Sequence, residues 1–156
     1  MTEPRIRRAT GTAISAADLY AALQLRSAVF VVEQDCAYLD PDGRDLDPST
    51  EHLWIVDSGD AVAAYLRVLR EPDGTARIGR VVTAQGRRGE RLASELLEAA
   101  LDDASGPVVL DAQSHHMSLY ERHGFLPHGP EFLDDGIPHV PMRRPARGVH
   151  QVNDAP

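Results

Sequence analysis

The chain contains no lysine: all 16 of its Lys-plus-Arg residues are arginine. That absence removes Schiff-base chemistry and a lysine-dependent nucleotide loop together. Cysteine is nearly absent too. The single Cys36 excludes an internal disulfide and any metal cage built from several thiolates. No apolar run approaches the ~20 residues that cross a bilayer. The start, Met1-Thr2-Glu3-Pro4-Arg5-Ile6-Arg7-Arg8, lacks the apolar stretch of a secretory signal. The expectation is a cytoplasmic protein with no membrane partner. Positive charge is also in short supply. The net charge of -8 argues against nucleic acid as a general partner. At 156 residues with 42% hydrophobic content, one domain with a sizeable core is expected.

What charge there is lies unevenly. Arg77, Arg80, Arg87, Arg88 and Arg91 cluster against a single acid, Glu90. Upstream the balance reverses: Glu33, Asp35, Asp40, Asp42, Asp45, Asp47 and Glu51 face only Arg44. The first segment suits an anionic ligand. The second reads as a solvated acidic loop, with attraction of a cation as the sharper alternative.

Patterning supplies the elements. Residues 5–9 read as a first strand. Ser15 and Asp18 mark a capping-box-like helix start, followed by Leu19, Leu23 and Phe30 at helical spacing, with Ala22, Leu25 and Val29 widening the stripe. Residues 52–57 and 61–69 are apolar runs joined by Ser58-Gly59-Asp60, a hairpin. Residues 75–83 form the next strand, in which Gly79 marks a bulge or a close backbone approach. A helix then buries Leu92, Ala93, Leu96, Leu97, Ala100 and Leu101 and exposes Ser94, Glu95, Glu98 and Asp102. Residues 108–111 are a buried strand, 115–123 a helix ended by Gly124, and 125–127 with 139–142 a closing hairpin around a long loop. Residues 145–156 have little to bury and read as a disordered tail. This order gives an α/β or α+β domain with a mixed sheet.

Arg88-Gly89-Glu90-Arg91-Leu92-Ala93 sits between a strand and a helix. Helix N-termini present unpaired amide N–H groups and a positive dipole end, and arginines add to them, so this is a phosphate site. The loop, the helix after it, the short strand and then Tyr120-Glu121-Arg122-His123-Gly124-Phe125 resemble the GNAT superfamily of acetyl-CoA-dependent N-acetyltransferases. The family loop reads Gln/Arg-x-x-Gly-x-Gly/Ala. Arg88 and Ala93 match its ends, while Arg91 stands where glycine is usual. Residues 25–34, Ile78-Gly79-Arg80-Val81, Ala112-Gln113-Ser114-His115 and Asp135-Gly136-Ile137-Pro138-His139 look like the bacterial ElaA-like branch. The likeness covers roughly residues 5–144, a single domain of 1–144.

The resemblance implies a mixed, mostly antiparallel central sheet, with helices on both faces and a splay between two parallel strands, 75–83 and 108–111. It implies acetyl-CoA in that notch as cosubstrate. The pantetheine would pair with the backbone of Val81, Val82 and Thr83, and the pyrophosphate with Arg88, Gly89, Glu90, Arg91, Leu92 and Ala93. A backbone N–H near Val81 or Val82 would polarise the thioester. Tyr120, a phenol protonated at neutral pH, suits protonation of the departing thiolate. Candidates for the base are Glu33 and His115 first, then His52 and His139, with solvent equally able to take the proton.

Four rival readings stand beside this one. Cys36 as an acetyl-carrying nucleophile lacks an adjacent histidine, so direct attack in a ternary complex is preferred. The seven histidines lack the three- or four-residue helical spacing and the second cluster that a metal site requires, so no metal is expected. A non-catalytic acyl-CoA-binding or sensing domain is the alternative function. A third class, an unrelated phosphate-ligand binder, rests on the arginines alone. The acceptor is a primary amine of a small molecule, peptide or protein, and a homodimer is possible.

Overall fold

Strand formation is dictated most strongly in the middle of the chain. Leu53 to Ile55 and the run from Val62 to Leu69 are buried throughout, as strands covered on both faces must be. In the computed structural model, which describes residues 5–147, these runs form β2 (Glu51–Val56) and β3 (Val62–Arg70). They join β1 (Ile6–Thr10), β4 (Ala76–Thr83), β5 (Val108–Gln113), β6 (Leu126–Pro127), β7 (Phe132–Asp134) and β8 (Ile137–Arg144). The sheet order is β1-β2-β3-β4-β5-β8-β6, with β7 also on β8. Every pairing is antiparallel except β4 with β5.

That one parallel pairing is short. It holds only at Ala76↔Val108 and Arg77↔Val109, with the Ala76 N–H donating to Pro107 O at 3.0 Å. Beyond it the strands part, and the expected splay is present. The cause lies in β4. Arg67 pairs with Gly79 but Tyr65 with Val82, so Leu66 faces two residues, Arg80 and Val81. This is a one-residue bulge, and bulges bend and twist the strand that carries them. The left-handed residue is Arg80 (φ 54°), next to the Gly79 that marked the bulge in the sequence.

Side chains alternate across β2 and β3. Leu53, Ile55 and Leu66 face one core, while Trp54 and Tyr65 face another. The first core is closed by α2 (Leu92–Asp102) and α3 (Met117–Glu121), the second by α1 (Ala16–Arg26). In α2, Leu92, Leu96, Leu97 and Leu101 are buried, each contributing roughly 1.5–3 kcal/mol. Ser94, expected on the polar face, is buried as well, its hydroxyl 3.2 Å from His123 Nε2. Ala93 is only half-buried, because it opens onto the cleft described below.

Three other expectations are corrected. Ser15 caps α1 as read, accepting from the Asp18 N–H at 3.0 Å. However, the helix widens at Ser27–Glu33 into a π-helical turn, with Gln34 N–H donating to Val29 O and Cys36 N–H to Val31 O. Within the stripe read from sequence, Ala22, Leu25 and Val29 are buried together with Arg26, while Leu19, Leu23 and Phe30 are half-buried. The helix expected over 115–123 begins as a tight 3-10 turn at Ser114–His116. It ends where Gly124 (φ 92°) lets the Phe125 N–H return to Tyr120 O. The long loop before β8 contains β7, turned by Asp135-Gly136 with both residues at positive φ, a two-residue hairpin. The tail expected from 145 lies, from 148 onward, outside the described residues. Within them, Arg147 donates to Leu101 O at the end of α2.

Candidate functional site

The splay opens a cleft of about 740 Å³. Residues 78–83 form one wall and Leu110, Asp111 and Gln113 the other, with Phe30, Glu33 and Tyr120 at the ends of neighbouring helices. A second hollow, about 510 Å³, lies against Arg87, Gly89, Arg91, Leu92 and Arg122. The two share Thr83, Arg88, Ala93 and Leu119, so they adjoin.

Backbone parity sets what β4 offers the cleft. Ala84 N–H donates to Ala63 O at 2.8 Å, so Ala84 and, two residues back, Val82 direct their polar groups at β3. Val81 and Thr83 then direct theirs away from β3, into the opened slot. The Thr83 carbonyl agrees: it accepts from Arg88 Nε and Nη2 at 3.4 Å each. Of the backbone trio Val81, Val82 and Thr83 expected along the cofactor, Val82 is thus occupied by the sheet.

Between Arg88 and Ala93 the chain twice enters the left-handed region, at Gly89 (φ 89°) and Arg91 (φ 64°). Arg91 stands where the family loop has glycine and adopts the backbone shape that glycine is used for, at a cost of about 1–2 kcal/mol. It is the residue before α2, and no side chain caps that helix start. The first-turn amides of Leu92 and Ala93 therefore remain free to donate. Glu90 is taken by Arg87 at 2.9 and 3.0 Å.

The acid–base candidates separate by environment. Tyr120 is 8% exposed, lines the cleft and packs edge-on against Phe125. Burial pushes its phenol well above the usual value, so it stays protonated. Glu33 accepts two hydrogen bonds from Arg88, at 2.7 and 2.9 Å, which lower its proton affinity. His115 is exposed at the cleft, its ring 4.0 Å from that of His116. His139 lines the cleft with Nδ1 2.7 Å from Ile137 O. His52 does not reach the cleft: it is fully buried between Tyr65 Oη (2.6 Å) and Asp45 O (2.8 Å), and burial lowers its pKa. Cys36 lies at the cleft rim, where burial and then Asp135, Asp134 and Asp35 push the thiol up, away from the nucleophilic thiolate.

The acidic segment is where sequence reading erred most. Asp40 and Asp45 are 1% and 6% exposed, so two acids of the expected solvated loop turn inward, while Asp42 and most of its neighbours stay at the surface. Its cations are internal. Arg26, fully buried, donates from Nε to Asp40 Oδ2 and from Nη1 to Asp45 Oδ1, both at 2.8 Å. Arg67 binds Asp42 and Asp45, and Arg80 binds Asp40 Oδ1 at 2.8 Å. Arg67 holds the Asp42 carboxyl far below the usual carboxylate range. Burial alone would raise Asp45, but Arg26 and Arg67 bring it down. Gly11 lets the loop close, since a β-carbon there would lie 2.2 Å from Asp47 O. The sequence did carry a signal: Arg67 interrupts an otherwise apolar strand, and Arg26 falls on a buried helix face.

Among the described residues no group of three or more His, Cys, Asp or Glu side chains is arranged to hold a metal ion. Nor, among them, is any helix long and apolar enough to cross a membrane.

Comparison with known proteins follows the same lines. The pattern of the acetyltransferase (GNAT) domain matches residues 28–145. A UPF0039 protein of Mycobacterium tuberculosis is 45% identical over 152 residues, covering 95% of this chain and 97% of that protein. The crystal structure of an acyl-CoA N-acyltransferase from Pseudomonas aeruginosa is similar with a TM-score of 0.82 and 40% identity, over 89% of this chain and 98% of that one. That of Escherichia coli ElaA gives a TM-score of 0.83 and 37% identity, over 89% and 97%. The chain belongs to the GNAT acetyltransferases, acyltransferase enzymes that use acyl-CoA as cosubstrate, among relatives that include ElaA.

Proposed function

We propose that this protein moves an acetyl group from acetyl-CoA to a primary amine by direct attack in a ternary complex. The observation that carries this reading is the pair of adjoining hollows, one lined by free β4 backbone and Tyr120, the other by an uncapped helix start among arginines. The pantetheine pairs with Val81 and Thr83 as a peptide would extend a sheet edge. The pyrophosphate lies on the amides between Arg88 and Ala93, spanning Gly89, Glu90, Arg91 and Leu92.

The chemistry then balances. The ammonium loses one proton, and its nitrogen attacks the thioester carbon. A C–N bond forms while the carbonyl becomes an oxyanion, which the Val81 N–H stabilises. As the oxyanion collapses, the C–S bond breaks and the thiolate receives the Tyr120 proton. The nitrogen, cationic after attack, sheds its second proton to solvent to leave the neutral amide, and the Tyr120 phenolate takes a proton back from solvent. The depressed proton affinity of Glu33 makes it a poor base while Arg88 holds it, so solvent or a cleft histidine, His115 or His139, takes the amine proton.

The test is thiol release from acetyl-CoA with spermidine, glucosamine and a tetrapeptide bearing a free N-terminus. Release dependent on one of these amines supports transfer. Tight CoA binding with no release on any amine points to a sensing domain, and absence of CoA binding sinks both.

Arg80 supplies a second prediction. Its positive φ places the bulge that turns Val81 toward the slot, and its guanidinium is fastened to Asp40. Arg80→Ala should lower kcat tenfold or more, with KM for acetyl-CoA within threefold of wild type. Arg80→Lys should recover most of the loss. Equal kcat in wild type and Arg80→Ala would show that the bulge needs no fastening.

A further inference from the structure

Two consecutive residues at the end of the π-helical turn span the splay. Glu33 binds Arg88, beyond the end of β4, through two hydrogen bonds of 2.7 and 2.9 Å. Gln34 exchanges amide hydrogen bonds with Gln113, at the end of β5, at 3.3 and 3.4 Å. Arg88 itself belongs to both hollows and stands at their junction. Its Nη1 and Nη2 donate to Glu33, and Nε to the Thr83 carbonyl. All three nitrogens are therefore engaged, the two Nη atoms by a carboxylate that lines the first hollow and not the second.

This arrangement makes Glu33 a rival of any phosphate that enters the second hollow. The Arg88–Glu33 pair is bidentate but its side chains are 43% and 34% exposed, so water and salt screen part of its attraction. A pyrophosphate brings more charge and is met there by the uncapped α2 start and by Arg91 and Arg122. It competes with Glu33 for Arg88. The consequence falls on Glu33: it loses its counter-ion and stands as a lone carboxylate on the wall of the cleft. A protonated amine is the group that restores the balance.

Resting on the acetyl-transfer reading above, we propose that Glu33 is the docking carboxylate for the acceptor's ammonium group, shut by Arg88 until the cofactor's phosphates take that arginine away. The site thereby selects cationic primary amines and fills in order, cofactor first. Binding free energies are reciprocal, so a bound amine tightens the hold on the phosphates by the same factor that the phosphates tighten the hold on the amine.

The test uses the full-length protein with CoA, and with S-acetylpantetheine, which carries no phosphate. Glu33→Gln should bind CoA at least threefold more tightly by titration calorimetry, because Arg88 is released. KM for S-acetylpantetheine should stay within twofold. In an Arg88→Ala background, which itself binds CoA more weakly, the gain from Glu33→Gln should vanish. For whichever of spermidine, glucosamine or the tetrapeptide supports thiol release, Glu33→Gln should raise KM tenfold or more. Unchanged or weaker CoA binding in Glu33→Gln would overturn the proposal, as would a gain that persists without phosphates or without Arg88. If wild type still releases thiol in those cases, the transfer reading survives and the docking role alone is lost. Wild type that binds no CoA would end both.

Discussion

Tyr120→Phe is expected to lower kcat by between ten- and a thousandfold while KM for acetyl-CoA changes little. Positioned proton donors contribute roughly 10²–10⁴ to rate. The lower end is extended here because solvent reaching the cleft can deliver part of the protonation. Burial raises the Tyr120 phenol, which at first sight makes it a weaker acid. However, a thiolate leaving in the same apolar slot is desolvated too, and its proton affinity rises with that of the phenol. The two remain matched, and the proton moves as the C–S bond opens.

The substitution keeps the ring that packs on Phe125 and the first core, so the thermal midpoint should hardly move. A thioester with a more acidic thiol needs less help in leaving. The ratio of wild-type to Tyr120→Phe rates should therefore shrink on an acetyl aryl thioester. The raised phenol also implies no alkaline fall in kcat from Tyr120 ionisation below about pH 10. Near wild-type turnover of acetyl-CoA by Tyr120→Phe would remove it as the acid.

Arg26→Met should be the most destabilising single change considered. It leaves Asp40 and Asp45 buried with one cation fewer, and breaking a buried pair by removing one partner costs ~3–5 kcal/mol. For a domain of this size that is a fall in Tm of roughly 10–20 °C. Arg26→Lys should recover little, since a single ammonium cannot reach Asp40 and Asp45 with a rigid fork. Cutting the exposed Arg5–Glu95 pair should cost less than ~1 kcal/mol.

The network also gives a sign for pH. Asp42 and Asp45 have depressed proton affinities when folded, so they bind protons more readily when unfolded. Their contribution is fully present above the ordinary carboxylate value near ~4 and is lost as pH falls below it. Thermal melts of wild type should hold steady from pH 8 to 5 and drop below 4, and Asp42→Asn should flatten part of that drop. A melt insensitive to acid would contradict the paired state of these carboxylates.

Much of the fold was legible because its signals are short-range. The hairpin at Ser58-Gly59-Asp60, the helix at Leu92–Asp102 and the bulge beside Gly79 each depend on neighbours a few residues away. The same holds for the loop from Arg88 to Ala93, whose glycine-like position survives at Arg91 as a positive φ. What failed did so for reasons of packing. The π-helical turn at Ser27–Glu33 leaves no mark in the periodicity. Ser94 looks polar in sequence and is buried because His123 is placed to meet its hydroxyl. The acidic loop looked solvated because its partners lie on β3, β4 and α1.

By itself, then, the sequence determined most of the order of elements, the family, the arginine loop before α2 and the tyrosine on the helix after β5. Those follow from residue type, spacing and local backbone preference. The tertiary structure alone decided which arginine meets which acid. Arg26 and Asp45 are 19 residues apart, and Glu33 and Arg88 are 55. A charge carries no address along the chain. The strand register and the bulge in β4 choose its partner, and here they spend three arginines on holding a loop and leave Arg88 at the junction of the two hollows.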